Sequence, residues 1–355
     1  MSTPERRLNP TSLLEFCTTV FSAGGARKDD AACVAAHLVD ANLKGHDSHG
    51  AGLLPAYLRH MERGQVNLEA SDQVLADTSV ILRIDADGGW GAPAGQRLVE
   101  RASAKAREHG LAAATLGHVH HLGRLGAYAE QAAAAGLVSI HFVNVTDHAP
   151  LVAPYRGTDA RFGTNPVCIG YPATATRPAF LLDMATSQIA LGKVRIAANR
   201  GVALPSGSLI DARGMPTTDP SGMAGFELEG ALTPLGKHKG YGLAFACELL
   251  AGVLGGGGTI QPGTPRRGGI SNGLFSIFID PAAFGEPDWM QAETDAMARY
   301  ALASPPMDWD SPVLYPGDPE RAIAGKRGKE GIPMDEVTIG QLNTVAEALG
   351  VAERL

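Results

Sequence analysis

The chain has 355 residues, of which 45% are apolar and 19% charged, and a formal net charge of −7. That length exceeds what one hydrophobic core usually serves, so two lobes are expected. No run of about 18 apolar residues offers a membrane span, and no basic stripe supplies the electrostatic footprint of nucleic-acid binding.

Cys17, Cys33, Cys168 and Cys247 lie far apart in apolar contexts, which reads as buried free thiols and not as disulfides or a zinc knuckle. The opening Met-Ser-Thr-Pro-Glu-Arg-Arg leads directly into a helix without an apolar stretch and cleavage site, so a cytoplasmic protein is expected.

Leu13, Phe16, Cys17, Val20 and Phe21 recur at helical spacing between a Ser12-x-x-Glu15 capping box and Gly24-Gly25. A second helix is expected from about Asp30 to Lys44, opened by acids that suit its N-terminus and closed by Gly45. His46-Asp47-Ser48-His49-Gly50 then falls in a helix-to-helix corner. From about residue 79 short β-branched runs alternate with alanine-rich helices. Strands are expected at Val80 to Asp85, Leu111 to Leu116, Leu137 to Val145 and Pro178 to Asp183. A helix near Lys239 to Leu254 and a strand from Leu274 to Asp280 complete this lobe, and Gly255 to Gly258, with the Pro/Gly-rich stretch after it, reads as an exposed loop. The remainder returns to helix, as in Pro287 to Ala303 and Met334 to Leu349, and is expected to pack on the first helices. The fold class is therefore α/β (α+β), with residues 79–286 as an α/β lobe and 1–78 plus 287–355 as a mostly helical lobe.

Four segments carry candidate chemistry. Asp85 to Gly95 runs from strand to helix as a dinucleotide-binding turn would, but Gly89, Gly91 and Gly95 give GxGxxxG, and no acid stands about 20 residues on among Ala114, Thr115 and Leu116. A glycine turn allowing close strand-helix packing is the better reading. His118, His120 and His121 invite a metal; His118 and His120 would share a face of an extended segment, yet no nearby carboxylate or cysteine completes a tetrahedral set, so a ligand-binding cluster is preferred. His46 to Gly50 packs two imidazoles, a carboxylate and a hydroxyl together. That suits general acid/base work with Asp47 or Ser48 orienting a ring, or simply a cap for a helix starting near Leu53. Lys237-His238-Lys239-Gly240 puts cations at a helix N-terminus, a conflict with the dipole that a bound phosphate would resolve. No GxSxG elbow points to a serine hydrolase.

Together, Gly45 to Gly50, Val119 to Arg124, Arg161 to Pro166, Leu182 to Ser187, His238 to Tyr241 and Leu314 to Asp318 resemble the type 2 malate/L-lactate dehydrogenase family. The resemblance spans nearly the whole chain. It implies a non-Rossmann cofactor-binding α/β lobe, a mostly helical lobe formed by both chain ends, and a homodimer with its active site in the cleft between lobes. The activity implied is hydride transfer between NAD or NADP and a 2-hydroxy acid/2-keto acid pair. His49 corresponds to the proton donor, with Ser48 beside it, and Asp47 or, in preference, Asp183 at the end of a buried strand is expected to orient the imidazole. Cofactor contacts fall on His121, Leu182, Asp183, Met184, Ala185, His238, Lys239, Gly240, Pro316, Gly317 and Asp318, and less directly on Asn272. No metal is implied. Where other branches carry an arginine four residues after the histidine, this chain has Leu53. The substrate carboxylate then needs another cation, for which Arg59, Arg124 and Arg161 are candidates, and an apolar 2-keto acid such as phenylpyruvate is favoured over ureidoglycolate or sulfolactate. Reduction of cyclic imino acids, metal-dependent hydrolysis and non-catalytic ligand binding are the alternatives.

Overall fold

A computed structural model describes residues 5–223, 228–265 and 269–355. Met1 to Pro4, at the start of the segment read as lacking a leader, and part of the Pro/Gly-rich stretch after Gly258 lie outside these residues. Strand β1 (Glu5–Leu8) is followed by α1 (Pro10–Ala23), α2 (Lys28–Leu43) and α3 (Leu54–Glu62), with tight 3-10 turns at Asp47–His49 and Ala51–Leu53 between the last two. All five periodic residues of α1 are buried. Its cap differs from expectation: Asn9, not Ser12, accepts from the first-turn amides of Thr11 and Ser12, and Pro10 begins the helix nearly one turn earlier. Proline suits that position because its missing N–H would be unpaired there anyway.

The second group of elements is β2 (Gln73–Asp77), β3 (Ile81–Asp85), α4 (Gly91–His109), β4 (Leu111–His120), α5 (Gly126–Ala134), β5 (Val138–Thr146), β6 (Val167–Tyr171) and β7 (Phe180–Met184). There follow α6 (Leu191–Arg200), the two-residue strands β8 (Leu209–Ile210), β9 (Pro216–Thr217) and β10 (Ala231–Leu232), α7 (His238–Cys247), which continues as a π-helical turn Glu248–Val253, and β11 (Ser271–Ile279). Last come α8 (Pro287–Leu302), α9 (Asp318–Glu330), β12 (Ile332–Asp335) and α10 (Glu336–Ala348). Met334, expected to open the last helix, lies instead in β12, which pairs with β1 and joins the two chain ends.

The main sheet has seven strands in the order β2-β3-β4-β11-β5-β6-β7. Only β3 and β4 are parallel; the other neighbours run antiparallel. A doubly wound Rossmann sheet is parallel throughout its nucleotide-binding halves, so this is a different α/β architecture. One face of the sheet packs on α4 and α5, where Leu98, Val99, Leu116, Tyr128, Leu274 and Phe278 form a core. A separate core holds Leu13, Phe16 and Phe21 with Leu38, Leu54, Ile339 and Leu342, so the last helix does close on the first ones. A third, smaller cluster of Val152, Phe162, Val194, Leu209 and Leu232 supports α6.

The run Gly255 to Gly258 is not a free loop. Gly117 of β4 has no room for a Cβ beneath the carbonyl of Gly255, and the Gly258 carbonyl accepts from Asn144 Nδ2 at 3.0 Å. The anchor is buried Glu248, whose carboxylate accepts from Asn144, Asn165 and the Ile260 amide. That inward pull accompanies the local π geometry, which an uninterrupted apolar helical pattern does not announce.

Candidate active site

The turn bearing His49 is stapled from behind. Gly45 takes φ +84 and ends α2. Asn42, on the last turn of α2, donates to Asp47 at 2.6 Å and accepts from the Ala51 amide at 2.7 Å. Arg327 of α9 closes on the Asp47 carboxylate with both Nη atoms, at 2.7 and 3.0 Å. Asp47 is therefore committed to the scaffold and caps no helix; α3 starts at Leu54, and Leu53 at its N-cap supplies no side-chain cap. The ring of His49 is oriented by its neighbour, with Ser48 Oγ 3.1 Å from Nδ1. Nε2 of His49 has no hydrogen-bond partner among the described residues. Burial, then the fields of His46 and Arg124, push this imidazole down to about 4.

His121 stacks on His49, with ring centroids 5.7 Å apart and planes 22° off parallel. It arrives at the end of β4, over the glycine turn. A Cβ on Gly91 would strike the carbonyls of His120 and His121, and the Gly89 carbonyl accepts from the His120 amide at 2.9 Å. Those glycines exist so that the histidine loop can lie on the start of α4. The three histidines part company. His118, at φ +47, is exposed and pairs with Asp85 at 2.7 Å; His120 is buried with its Nε2 2.9 Å from His60 Nδ1; His121 meets the Tyr57 hydroxyl at 2.6 Å. The shared face expected for His118 and His120 is lost because the positive φ turns the strand.

Asp183 does not reach His49. Its Oδ2 accepts from the Gly126 amide at 2.7 Å, at the start of α5. Burial raises its pKa, against that hydrogen bond and the fields of Arg124 and His46. Strand alternation puts Leu182 and Met184 on the opposite face of β7 from Asp183. Ala185 follows and is half-buried. Around this strand end the other named residues gather. The Leu181 amide donates to the Pro316 carbonyl at 3.2 Å, next to Gly317 at φ +95, while Asp318 is held by Arg321 at 2.7 Å. Gly240 packs against the carbonyl of Thr186, so the N-terminus of α7, with His238 and Lys239 exposed, lies beside β7 as well. Asn272 is the exception. It is 3% exposed, and its amide bonds the Leu122 amide and the Asn144 carbonyl, so it braces the sheet and faces no cleft.

Of the three candidate cations, Arg124 is engaged through Nη2 alone, its Nε and Nη1 being buried without a partner among the described residues. Its side chain is 2% exposed and bonds Asp40 at 3.0 Å and Glu130 at 2.6 Å. Arg161 is exposed and pairs with Asp159. Arg59 is exposed on α3. What sequence reasoning missed is the start of α6: a Cβ on Gly192 would press on Ser48 Cβ at 2.8 Å, which sets this helix start, with exposed Lys193 next in the chain, against the His49 turn. No spacing signal links residues 48 and 192. Tyr57 and His60 were also missed, although three residues apart on α3 they share one face.

Two stacked imidazoles where the His46 to Gly50 turn meets the end of β4, beside uncapped helix starts and one buried carboxylate, form a setting suited to acid/base chemistry on an anionic small molecule. Comparison with known proteins makes that chemistry specific. The family model for malate/L-lactate dehydrogenase matches residues 8–343, and the chain belongs to that family. It is 42% identical over 349 residues to hydroxycarboxylate dehydrogenase B of Escherichia coli (strain K12), covering 98% of this chain and 95% of that one. It is 40% identical over 346 residues to an L-lactate dehydrogenase of Cupriavidus necator, covering 98% and 99%. Among solved structures, the sulfolactate dehydrogenase of Methanocaldococcus jannaschii superposes with a TM-score of 0.87 at 31% identity, covering 98% of each chain. The chain is thus a 2-hydroxy acid oxidoreductase that works with a nicotinamide cofactor, and hydride transfer prevails over the hydrolytic and non-catalytic alternatives.

Proposed function

We propose that this enzyme interconverts a 2-hydroxy acid and its 2-keto acid with NAD, and that His49 carries the proton. The observation that carries this reading is the His49 ring itself: Ser48 fixes Nδ1, Nε2 is left without a protein partner, and a second imidazole stacks on it. With its pKa pushed down to about 4, His49 is neutral at neutral pH and ready to accept the hydroxyl proton during oxidation. In the reducing direction a bound carboxylate and the developing alkoxide place negative charge beside the ring, which favours the imidazolium needed to donate.

The residues present fit a dinucleotide. The first turn of α7 has no side-chain cap and carries exposed Lys239 behind Lys237 at φ +62, a setting suited to a pyrophosphate. The first turn of α9 holds Asp318 and Glu320, which would repel phosphate and suits hydroxyl groups. His121, Asp183 and the Pro316-Gly317-Asp318 turn would line the remainder. When bound, the nicotinamide supplies or accepts the hydride at the substrate's C2. Support for NAD over NADP comes from Asp183, whose carboxylate would accept from a ribose 2′-hydroxyl and repel a 2′-phosphate. Asp183→Asn is expected to shift the NADH/NADPH ratio of kcat/KM toward NADPH by about tenfold, the worth of one charged hydrogen bond; an unchanged ratio would remove Asp183 from that role.

Lys193, exposed at the start of α6 against Ser48, is proposed to hold the substrate carboxylate, since Arg161 is paired with Asp159 and the buried Arg124 already carries two carboxylates on Nη2. Lys193→Ala should raise the keto acid KM about tenfold with kcat little changed, and equal KM values would return the task to Arg59. Leu53, half-buried where a cation is absent, favours an apolar tail. A homodimer is supported by apolar surface that one chain leaves open: half-buried Ile140, Phe142, Phe275 and Ile277 on the second sheet face, and exposed Phe245, Leu249 and Val253 along α7 and its π turn. No helix among the described residues is long and apolar enough to cross a membrane, and four free cysteines suit the reducing cytoplasm.

The test is turnover of a panel of 2-keto acids and cyclic imino acids with NADH and NADPH. Phenylpyruvate-like acids with NADH should lead. Turnover confined to cyclic imino acids, or comparable rates on sulfolactate and ureidoglycolate, would overturn the substrate reading.

A further inference from the structure

The Tyr57 phenol is 3% exposed, and its hydroxyl, 2.6 Å from His121 Nδ1, has no other hydrogen-bond partner among the described residues. The ring is held in an aromatic socket, with Trp90 at 5.8 Å, Phe21 at 6.3 Å and the edge of His120 at 4.9 Å. It cannot swing away to find another acceptor. Tyr57 belongs to α3 of the helical group and His121 to the end of β4, so this hydrogen bond also sets the register between the two sides of the cleft.

Two proton arrangements satisfy the distance. If His121 Nδ1–H donated to the phenol oxygen, the buried O–H of Tyr57 would have no acceptor, a donor orphaned at the full desolvation cost. If the phenol donates to Nδ1, only oxygen lone pairs go unmatched, the cheaper defect. We propose that Tyr57 is a positioning residue: it donates to His121 Nδ1 and holds that imidazole as the Nε2–H tautomer. His121 then presents a fixed, neutral N–H donor beside His49, whose ring it parallels at 5.7 Å. The catalytic consequence rests on the proposed function. A neutral donor aimed at the substrate's C2 oxygen polarises the carbonyl without competing for the proton that His49 carries. The two imidazoles thereby divide the work, one hydrogen-bonding throughout and the other exchanging a proton.

The test reads the tautomer directly. Long-range proton-nitrogen correlation spectra of 15N-histidine-labelled protein, with the His121 signals assigned by their loss in His121→Gln, should show Nε2 protonated and Nδ1 bare in the wild type. In Tyr57→Phe, which keeps the ring in its socket, the His121 signals should turn to a mixture of tautomers. Cofactor Kd should hold, KM for the keto acid should change little, and kcat should fall on the order of tenfold. A wild-type proton on Nδ1, or an unchanged tautomer in Tyr57→Phe, overturns the proposal, and the first needs no variant to fold. If the expected tautomer is found in a protein that turns over no keto acid, the positioning by Tyr57 stands and the proposed function falls.

Discussion

Replacing His49 by alanine should lower kcat for keto acid reduction by about a hundredfold or more while cofactor binding is retained, because a positioned proton carrier contributes on that scale. The side chain is not a load on the fold. Its turn is held by Asn42, Asp47 and Arg327, none of which bonds the imidazole, so the variant should unfold close to the wild type. Parallel assays of cofactor oxidation and fluorescence titration of bound cofactor separate the two effects. Equal turnover by both proteins would make His49 structural and send the search for the proton to its stacked partner, His121. The pH profile adds a second check. Burial above all pushes the His49 imidazole down to about 4, so oxidation should stay flat through neutral pH and fall only on the acid side.

The second large effect concerns acid. His37, His120 and His141 are buried and neutral, pushed down to about 4, 3 and 3 by burial above all. In the unfolded chain each titrates near 6.5. Above that value neither state binds the protons and stability is unaffected. As pH falls below it the unfolded chain takes up three protons that the native state refuses. The three together cost up to about 4 kcal/mol of stability per pH unit until the native values are reached. His49 and His121 act in the same direction, and the raised Asp183 opposes them as one group. Urea midpoints should therefore be level from pH 8 to 7 and drop steeply toward pH 5, by several kcal/mol in unfolding free energy. His141→Gln, which retains partners for Ser139 and Ser276, should reduce the slope by about one proton. A level midpoint down to pH 5 would mean that these rings are protonated in the native protein.

The parts of the molecule legible in the sequence are those governed by nearest neighbours along the chain. Leu13 to Phe21 announced α1 because helical burial repeats locally, and each strand expected from residue 79 onward was found, though β4 runs on to His120. The cap of α1 was misplaced because Asn9 and Ser12 are both good N-cap residues, and the choice fell to the one followed by proline. The glycine-rich turn at Gly89 to Gly95 was read as a place of close packing, and Gly91 does lie against the His120 and His121 carbonyls, yet that partner could not be named from the sequence. Asp183 was expected to orient His49, and Ser48 does so instead. A carboxylate at a strand end can face any of several neighbours, and only the packing of α5 on β7 gave it the Gly126 amide.

By itself the sequence determined the class of fold and the family to which the chain belongs. Periodicity and short motifs encode these within a few turns of chain. Only the tertiary structure decided that His49 and His121 stack, that Tyr57 meets the second ring, that Gly192 arrives over Ser48, and that Asn272 braces the sheet. The Tyr57–His121 and Asn272–Leu122 contacts join residues 64 and 150 positions apart, and what brings them together is the burial of two faces against each other. A side chain's chemistry can be read from its identity, but its partner is chosen by whatever else the fold has already placed beside it.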